Sequence, residues 1–468
     1  MNIVLLNPPN KHRIQRRFMC SYNAPNQLLP PQELMALGGV LRKLDNCKTF
    51  LIDAIAEQYN TLSVIERLKS LQPDVIVAIQ GFECFEEDML ALVKIKQSLP
   101  SSRMVLFGHY ATLFPKEILE NTNFDIIIIG EPDNIFCDLV KCLLNNNDLS
   151  QVSGIAYRNQ TGVVVQPGDS RIPHPELLPM PAYELLDLGK YFEPFLKAPF
   201  GLIQTARGCP YNCNYCVRSF GKRLTYRSTD QIIEEIIFLK ENFGIRSLRF
   251  IDDTFTVHSK RVIELCKRMI ELKLQLEWTC LSRVDTLDLE VIPWMKKAGC
   301  KRIYFGIESG SMKVLKYFDK EMDLTNALKV LQRCKLEGIE ILGLFMIGAP
   351  VEEEEDFVAS VDFAVKANFD YVIVSELIVY PGTPLFEQLR TQINFSLFPY
   401  KNEWKDGRFS ERNKRREKEF YRRFYYRKNY FALHAGKLLR HPFQYLDNFT
   451  KLASFIFTKP EKERADFI

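Results

Sequence analysis

Unbroken apolar runs of four or five residues recur through the first 145 positions, at 3–6, 49–52, 75–78, 104–107 and 125–129. Runs so short and continuous predict parallel strands buried on both faces, because a half-exposed strand would alternate. Between them, 32–44 and 61–70 carry apolar residues at helical spacing. The alternation predicts a doubly wound, Rossmann-like α/β domain over residues 1–147. A ligand of such a sheet lies beyond the carboxyl ends of the strands. The turns expected there are Asn7-Pro8-Pro9, Gln80-Gly81, Gly108-His109-Tyr110-Ala111-Thr112 and Gly130-Glu131-Pro132. Their small, polar and proline residues let a backbone approach a ligand closely.

A connector is expected over 148–198, with half a hairpin at 162–166 and a proline-punctuated stretch through Pro173, Pro175, Pro179 and Pro181. A second strand–helix alternation then begins, with strands expected at 201–205, 247–251, 275–280, 302–307, 340–346 and 371–377. Helical patterns separate them; one opens on Ser228-Thr-Asp-Gln231, a capping-box sequence, and stops before Gly244. Six strand–helix units predict a partial (β/α)6 barrel over 199–392, with active-site groups where the strands end. Residues 393–468 change character: 411–430 is dense in Arg, Lys, Tyr and Phe, and 443–457 is apolar and aromatic. A small, mainly helical region is expected there.

Bulk composition changes this picture little. The 468 residues are 46% hydrophobic and 26% charged, with a net charge of +4. That balance suits a globular protein and argues against a dedicated nucleic-acid binder. The chain starts on a strand pattern rather than a signal peptide, and its twelve cysteines are dispersed. A reducing, cytoplasmic setting is expected, with most thiols buried.

The candidate chemistry lies at Cys209-Pro-Tyr-Asn-Cys213-Asn-Tyr-Cys216, just after the first barrel strand. Three soft ligands on one short loop can hold three corners of a cubic iron–sulfur cluster and leave one iron open. A structural zinc knuckle is the bland alternative. It needs a fourth ligand, and the next cysteine, Cys266, is some fifty residues away on an expected helix.

Cys-x3-Cys-x-aromatic-Cys in this position resembles the radical S-adenosylmethionine (SAM) enzymes, over roughly 201–386. The resemblance implies that Cys209, Cys213 and Cys216 ligate a 4Fe–4S cluster whose open iron chelates SAM. Cleavage of SAM would then release a 5′-deoxyadenosyl radical. It also points to strand-end residues around SAM. Tyr215 would lie near the adenine, and Asp252 and Asp253 near the ammonium, with a helix N-cap as the alternative for Asp253. Arg283 would face the carboxylate unless it forms a pair with Asp285. Glu308 would serve the ribose or methionine end unless it forms a barrel salt bridge. Gly348 and Pro381, in Gly-Ala-Pro and Tyr-Pro-Gly-Thr-Pro turns, would admit backbone to SAM or simply turn the chain.

The preceding α/β domain, with Asn7, Pro8, Pro9, Pro30, Gln80, Gly81, Gly108, His109, Thr112, Gly130 and Glu131 in its turns, resembles the cobalamin-binding domain of cobalamin-dependent radical SAM enzymes. The Asp-x-His-x-x-Gly motif that supplies a cobalt ligand in many cobalamin domains is absent: Asp53-Ala-Ile-Ala-Glu57 has no His. Cobalamin without a protein His ligand is therefore expected. His109 would pack on the corrin or substitute as ligand, and an empty, degenerate domain is the alternative. The basic, aromatic 411–430 stretch fits a helix docked on the barrel with a solvated face, a membrane-surface element, or a lid.

The resemblance implies methylation of an unactivated carbon by way of the adenosyl radical and methylcobalamin. Within the family the alternative is a non-methylating cyclisation, as in anaerobic magnesium-protoporphyrin ester cyclase. Outside it, the alternative is a non-catalytic cobalamin and iron–sulfur sensor. The substrate class stays open between lipid, tetrapyrrole, peptide and natural-product precursor. An external electron donor such as flavodoxin or ferredoxin is implied.

Overall fold

The computed structural model describes residues 1–23, 27–168, 178–193, 196–218, 220–428 and 430. They form two compact units, one built from the described residues up to 193 together with 398–400, the other from those of 196–397 and 401–430.

The first unit is a seven-stranded sheet in the order β4-β1-β5-β6-β7-β8-β9. Its strands are β1 (Asn2–Asn7), β4 (Lys48–Asp53), β5 (Val75–Gln80), β6 (Arg103–Gly108), β7 (Ile126–Ile128), β8 (Ile155–Asn159) and β9 (Gly162–Gln166). The five strands from β4 to β7 are parallel, and β8 and β9 extend the sheet antiparallel. Residues 155–166 of the expected connector therefore belong to this sheet. All six side chains of β5 are buried, as an apolar run flanked by helices requires. The winding direction reverses between β1 and β5, so the loops after them, at 8–13 and 81–84, flank the switch point. A small hairpin, β2 (Ile14–Arg17) with β3 (Cys20–Asn23), follows the first of these loops.

The second unit carries six parallel strands in sequence order: β10 (Phe200–Ile203), β13 (Ser247–Phe250), β14 (Glu277–Ser282), β15 (Cys300–Glu308), β16 (Glu340–Ile347) and β17 (Tyr371–Glu376). A short ribbon, β11 (Ala206–Arg207) with β12 (Thr225–Tyr226), brackets the cysteine loop. The predicted capping box forms: Ser228 accepts from Gln231 N–H at the start of helix Thr229–Phe243, and Gly244 closes it at φ 62°. The open sheet ends on β17, whose outer edge is covered by helix Arg408–Tyr425. The hairpin β18 (Ile393–Ser396) with β19 (Lys401–Trp404) precedes that helix. The stretch 443–457, Pro173 and Pro175 lie outside the described residues. Among the described residues no helix is long and apolar enough to cross a membrane.

Candidate active site

The cysteine loop is fixed at both ends by residues far away in sequence. Upstream, Asp252 at the end of β13 is 1% exposed and accepts from Thr205 N–H at 2.6 Å, from Ala206 N–H at 3.0 Å and from the Thr205 hydroxyl. Arg261 donates to the Thr205 carbonyl at 3.0 Å and lies over the Tyr226 ring. Burial raises the Asp252 carboxyl above its ordinary pKa; nearby Arg261 and the hydrogen bonds act against that rise. Downstream, Asn214 is pinned on three sides: its N–H donates to the Phe318 carbonyl, its side chain to the Tyr317 carbonyl at 2.7 Å, and its carbonyl accepts from Leu385 N–H.

Around these anchors the thiols lie in one another's fields. Burial raises the Cys209 thiol, with Asp253 and Cys213 adding to the rise. Cys216 is open to solvent yet crowded by protein, and is pushed up to about 12 by that crowding, by Asp253 and by the other two thiols. Such thiols keep their protons until bound cations offset the charge. Cys213 is buried, and its sulfur accepts from Arg283 Nη1 at 3.2 Å. Cys209 Sγ lies 3.8 Å from Thr254 Oγ1. Among the described residues no three His, Cys, Asp or Glu side chains converge on a single ion. A cubic cluster does not ask for that, because each cysteine binds a different iron and the ligands stand further apart than those of one ion. Three thiols on one loop, with a guanidinium donating to one sulfur, fit such a cluster.

Arg283 is also bidentate to Asp285 at 3.0 and 2.6 Å, and its guanidinium lies 3.9 Å from the Tyr211 ring centre. The pair with Asp285 and the contact with the cysteine loop coexist. Tyr215 packs edge-on against Phe318; burial, Glu308 and the thiols hold its phenol well above the usual range. Glu308 forms the barrel ion pair weighed in sequence, with Lys320 at 2.7 Å, and its charge acts on the Tyr215 phenol. Asp253 lies within the field of Cys209 and Cys216. The structure thus brings Tyr215, Asp253, Arg283 and Glu308 to the cysteine loop, while Asp252 is committed to the backbone of 205–206. Gly348 donates its N–H to Glu352 and lies against Asn413, and Pro381 is buried in the turn before helix Pro384–Leu389. Both occupy turns. Thr205, Arg261 and Lys320 escaped sequence reasoning, having no motif and only distant partners, and Tyr211 and Asn214, though inside the cysteine motif, were given no role because their partners lie far along the chain.

In the first unit the expected ligand loops are tied together from within. Arg16 and Asp88 form an ion pair at 2.6 Å with both side chains fully buried. Arg16 also donates to Asn7 Oδ1 and the Pro8 carbonyl, and Asp88 accepts from Gly81 N–H. Asp53 accepts from Asn7, from Ile55 and Ala56 N–H, and from the Tyr191 hydroxyl. Thr112 donates to the Gly108 carbonyl and accepts from Gly130 N–H, joining the ends of β6 and β7. Glu131 is the buried N-cap residue of helix Pro132–Leu144. Pro9 and Pro30 are buried. His109 starts a short helix rather than lying in a loop, is 1% exposed, and meets the Phe82 ring edge-on. Two features at this edge fit a ligand rich in polar groups. Gln80 accepts from Tyr110 N–H, but its buried Nε2 has no partner. A cavity of about 90 Å³ opens between the loops after β1 and β4, lined in part by Lys11, His12, Arg13 and Lys190.

Residues 203–364 match the radical SAM superfamily. A protein of Pyrococcus horikoshii named an uncharacterized methyltransferase is 32% identical over 391 residues, 83% of each chain. The anaerobic magnesium-protoporphyrin IX monomethyl ester cyclase of Cereibacter sphaeroides is 26% identical over 78% of this chain and 61% of its own. In fold, the chain resembles the cobalamin-dependent SAM radical enzyme OxsB: TM-score 0.73 at 18% identity, over 99% of this chain and 74% of that one. The chain belongs to the radical SAM superfamily, whose 4Fe–4S cluster and SAM are its cofactors.

Proposed function

We propose that this protein is a cobalamin-dependent radical SAM methyltransferase acting on an unactivated carbon of a bulky substrate such as a lipid, tetrapyrrole, peptide or natural-product precursor. The observation that carries this reading is the presence in one chain of the three-thiol loop and a doubly wound sheet with an unpartnered donor and a basic-lined cavity at its carboxyl edge. When bound, the cluster with SAM supplies a radical able to take hydrogen from a C–H bond, and cobalamin supplies a transferable methyl group. The chain's own residues prepare that chemistry. Cys209, Cys213 and Cys216 hold the cluster, and Asp252 and Asn214 fix the loop that carries them. Arg283 places a positive charge and a hydrogen-bond donor on the Cys213 sulfur. Asp253, Tyr215 and Glu308 form the polar wall beside the thiols, suited to the charged end and ribose of SAM. In the first unit Gln80 Nε2 and the basic cavity suit the amides and phosphate of cobalamin. A one-electron donor such as flavodoxin or ferredoxin completes the system.

The similarity to a cyclase favours one second reading, a non-methylating cyclisation on the same machinery. One experiment separates them. Anaerobically reconstituted protein, loaded with cobalamin and given a reductant and methyl-labelled SAM, should move the label to cobalamin or to product and release 5′-deoxyadenosine. Release of 5′-deoxyadenosine with all label retained in methionine selects the cyclase reading. Intact SAM on a full cluster refutes both.

A further inference from the structure

Glu308 stands in a conformation that needs explaining. It is the last residue of β15, and its φ of 65° is in the left-handed region that a residue with a side chain avoids. The pairing of β15 with β16 slips there: Gly306 faces Leu344, Glu308 faces the next residue, Phe345, and Ile307 is the extra one. A bulge of this kind re-aims the side chain that follows it. Backbone strain persists only where the surroundings fix it.

Lys320 does the fixing from the barrel side. It is 3% exposed, and its ammonium donates to Glu308 Oε1 at 2.7 Å and to the Gly306 carbonyl at 2.8 Å. On the cluster side, Asn214 of the cysteine loop donates its N–H to the carbonyl of Phe318, two residues before Lys320, and Tyr215 packs edge-on against the Phe318 ring. Gly306 leaves the room: a Cβ there would lie 2.9 Å from Glu308 Oε1 and 3.2 Å from Lys320 Nζ. An ammonium this enclosed is held by the carboxylate as firmly as it holds it.

We propose that Lys320 is a positioning residue for SAM: with Gly306 as its seat, and on a segment pinned to the cysteine loop through Tyr317 and Phe318, it locks the Glu308 carboxylate in the orientation that receives SAM. This rests on the reading that SAM binds at the cysteine loop. It adds a residue twelve positions beyond the end of the strand that no strand-end motif contains, and it gives Gly306 the role of housing the pair.

Lys320→Met keeps the methylene chain and removes the charge. The variant should reconstitute with wild-type iron and sulfide. Its SAM dissociation constant, measured by equilibrium dialysis and by titrating the perturbation that SAM causes in the electron paramagnetic resonance of the reduced cluster, should rise at least tenfold. Lys320→Arg should recover part of the loss. Combined with Glu308→Gln, Lys320→Met should weaken SAM binding no further than the worse single change. Wild-type SAM affinity in Lys320→Met, with only a lower melting temperature, overturns the proposal and leaves an ordinary barrel ion pair. If Lys320→Met does not fold, Gly306→Ala decides: it keeps both charges and displaces them, so weakened SAM binding on a full cluster supports the proposal and unchanged binding overturns it. Failure of the wild-type protein with a full cluster to bind SAM would instead remove the functional reading itself.

Discussion

Replacing Tyr425 by Phe deletes one oxygen atom and should open the edge of the six-stranded sheet. In an unclosed barrel the last strand exposes a row of unpaired N–H and C=O groups. Here the hydroxyl of Tyr425 accepts from Val372 N–H at 3.1 Å and donates to the Val372 carbonyl at 3.2 Å. Tyr421 treats Val374 in the same way, at 3.0 and 3.4 Å. The spacing matches because two strand residues advance about 6.6 Å and four helix residues about 6 Å. Burial keeps both phenols above their ordinary pKa, so they remain donors. Val372 is fully buried, so Tyr425→Phe strands a donor and an acceptor away from water. At about 1–3 kcal/mol for each buried group left unsatisfied, with the carbonyl at the low end, the loss should be about 2–4 kcal/mol. At about 2–4 °C per kcal/mol for a domain of this size, the melting temperature should fall by about 5–15 °C. Hydrogen exchange at single-residue resolution is the sharper assay. The Val372 amide should lose at least about 30-fold in protection, at tenfold per 1.4 kcal/mol, and more than the Val374 amide does. Equal loss at both amides, or less than about threefold at Val372, would refute the idea that individual tyrosine hydroxyls pair this edge.

Three further outcomes are expected. Cys213→Ala should fail to retain a cluster on anaerobic reconstitution; iron and sulfide at wild-type stoichiometry would break the ligand assignment. Gly348→Ala should destabilise the second unit by about 2 kcal/mol or more, seen as a lower denaturant midpoint. Its φ of 92° disfavours a side chain, and the new Cβ would lie 2.3 Å from Asn413 Nδ2; an unchanged midpoint would show that the helix yields freely. Asp356 is pushed up by burial, but the Ser311 hydroxyl, Glu353 N–H and Lys313 outweigh that and hold its carboxyl below the ordinary value. Its stabilising contribution is therefore complete above an unfolded pKa of about 3.9 and lost as pH falls through the depressed folded value. The stability gap between wild type and Asp356→Asn should narrow below about pH 4, and a gap constant from pH 7 to pH 3 would contradict this.

The strands and the cysteine loop were legible in the sequence because their signals are local: an apolar run, a capping box, three thiols within eight residues. The order of the strands and the partners of the buried polar groups are not local. Arg16 meets Asp88 across 72 residues, Asp252 meets Thr205 across 47, and Tyr425 meets Val372 across 53. Periodicity says that such a residue is buried but not which group satisfies it. The dense run of Arg, Tyr and Phe after 411 shows this well. The helix docks its aromatic residues on the sheet and leaves Lys414, Arg415, Lys418 and Arg422 exposed, as the first of the three sequence readings expected. Its composition did not reveal that the tyrosine hydroxyls pair the backbone of β17.

The same partners separate the strand-end carboxylates that sequence grouped together. A buried carboxylate must be satisfied, so its acceptor sites are filled by whatever the fold places there. Asp53 is filled by two backbone N–H groups, Asn7 and Tyr191, and Asp252 by two backbone N–H groups and a hydroxyl. Both therefore shape loops. Glu352 is held by Gly348 N–H and by Arg416 of the C-terminal helix at 2.9 Å, which ties the end of β16 to the element that covers β17. Glu308 differs in kind. Its partner is a side chain, Lys320, on the segment whose Phe318 holds the cysteine loop. A carboxylate held by side chains can exchange a partner or share one with an incoming ligand at little cost to the backbone, whereas one that caps backbone N–H groups cannot. On that ground Glu308→Gln should alter SAM binding while sparing the fold, and Asp252→Asn should loosen the loop that carries Cys209 before any ligand arrives, seen as faster hydrogen exchange at the Thr205 and Ala206 amides of the cluster-free protein. Unchanged exchange at those amides would return Asp252 to the list of residues that act on SAM directly.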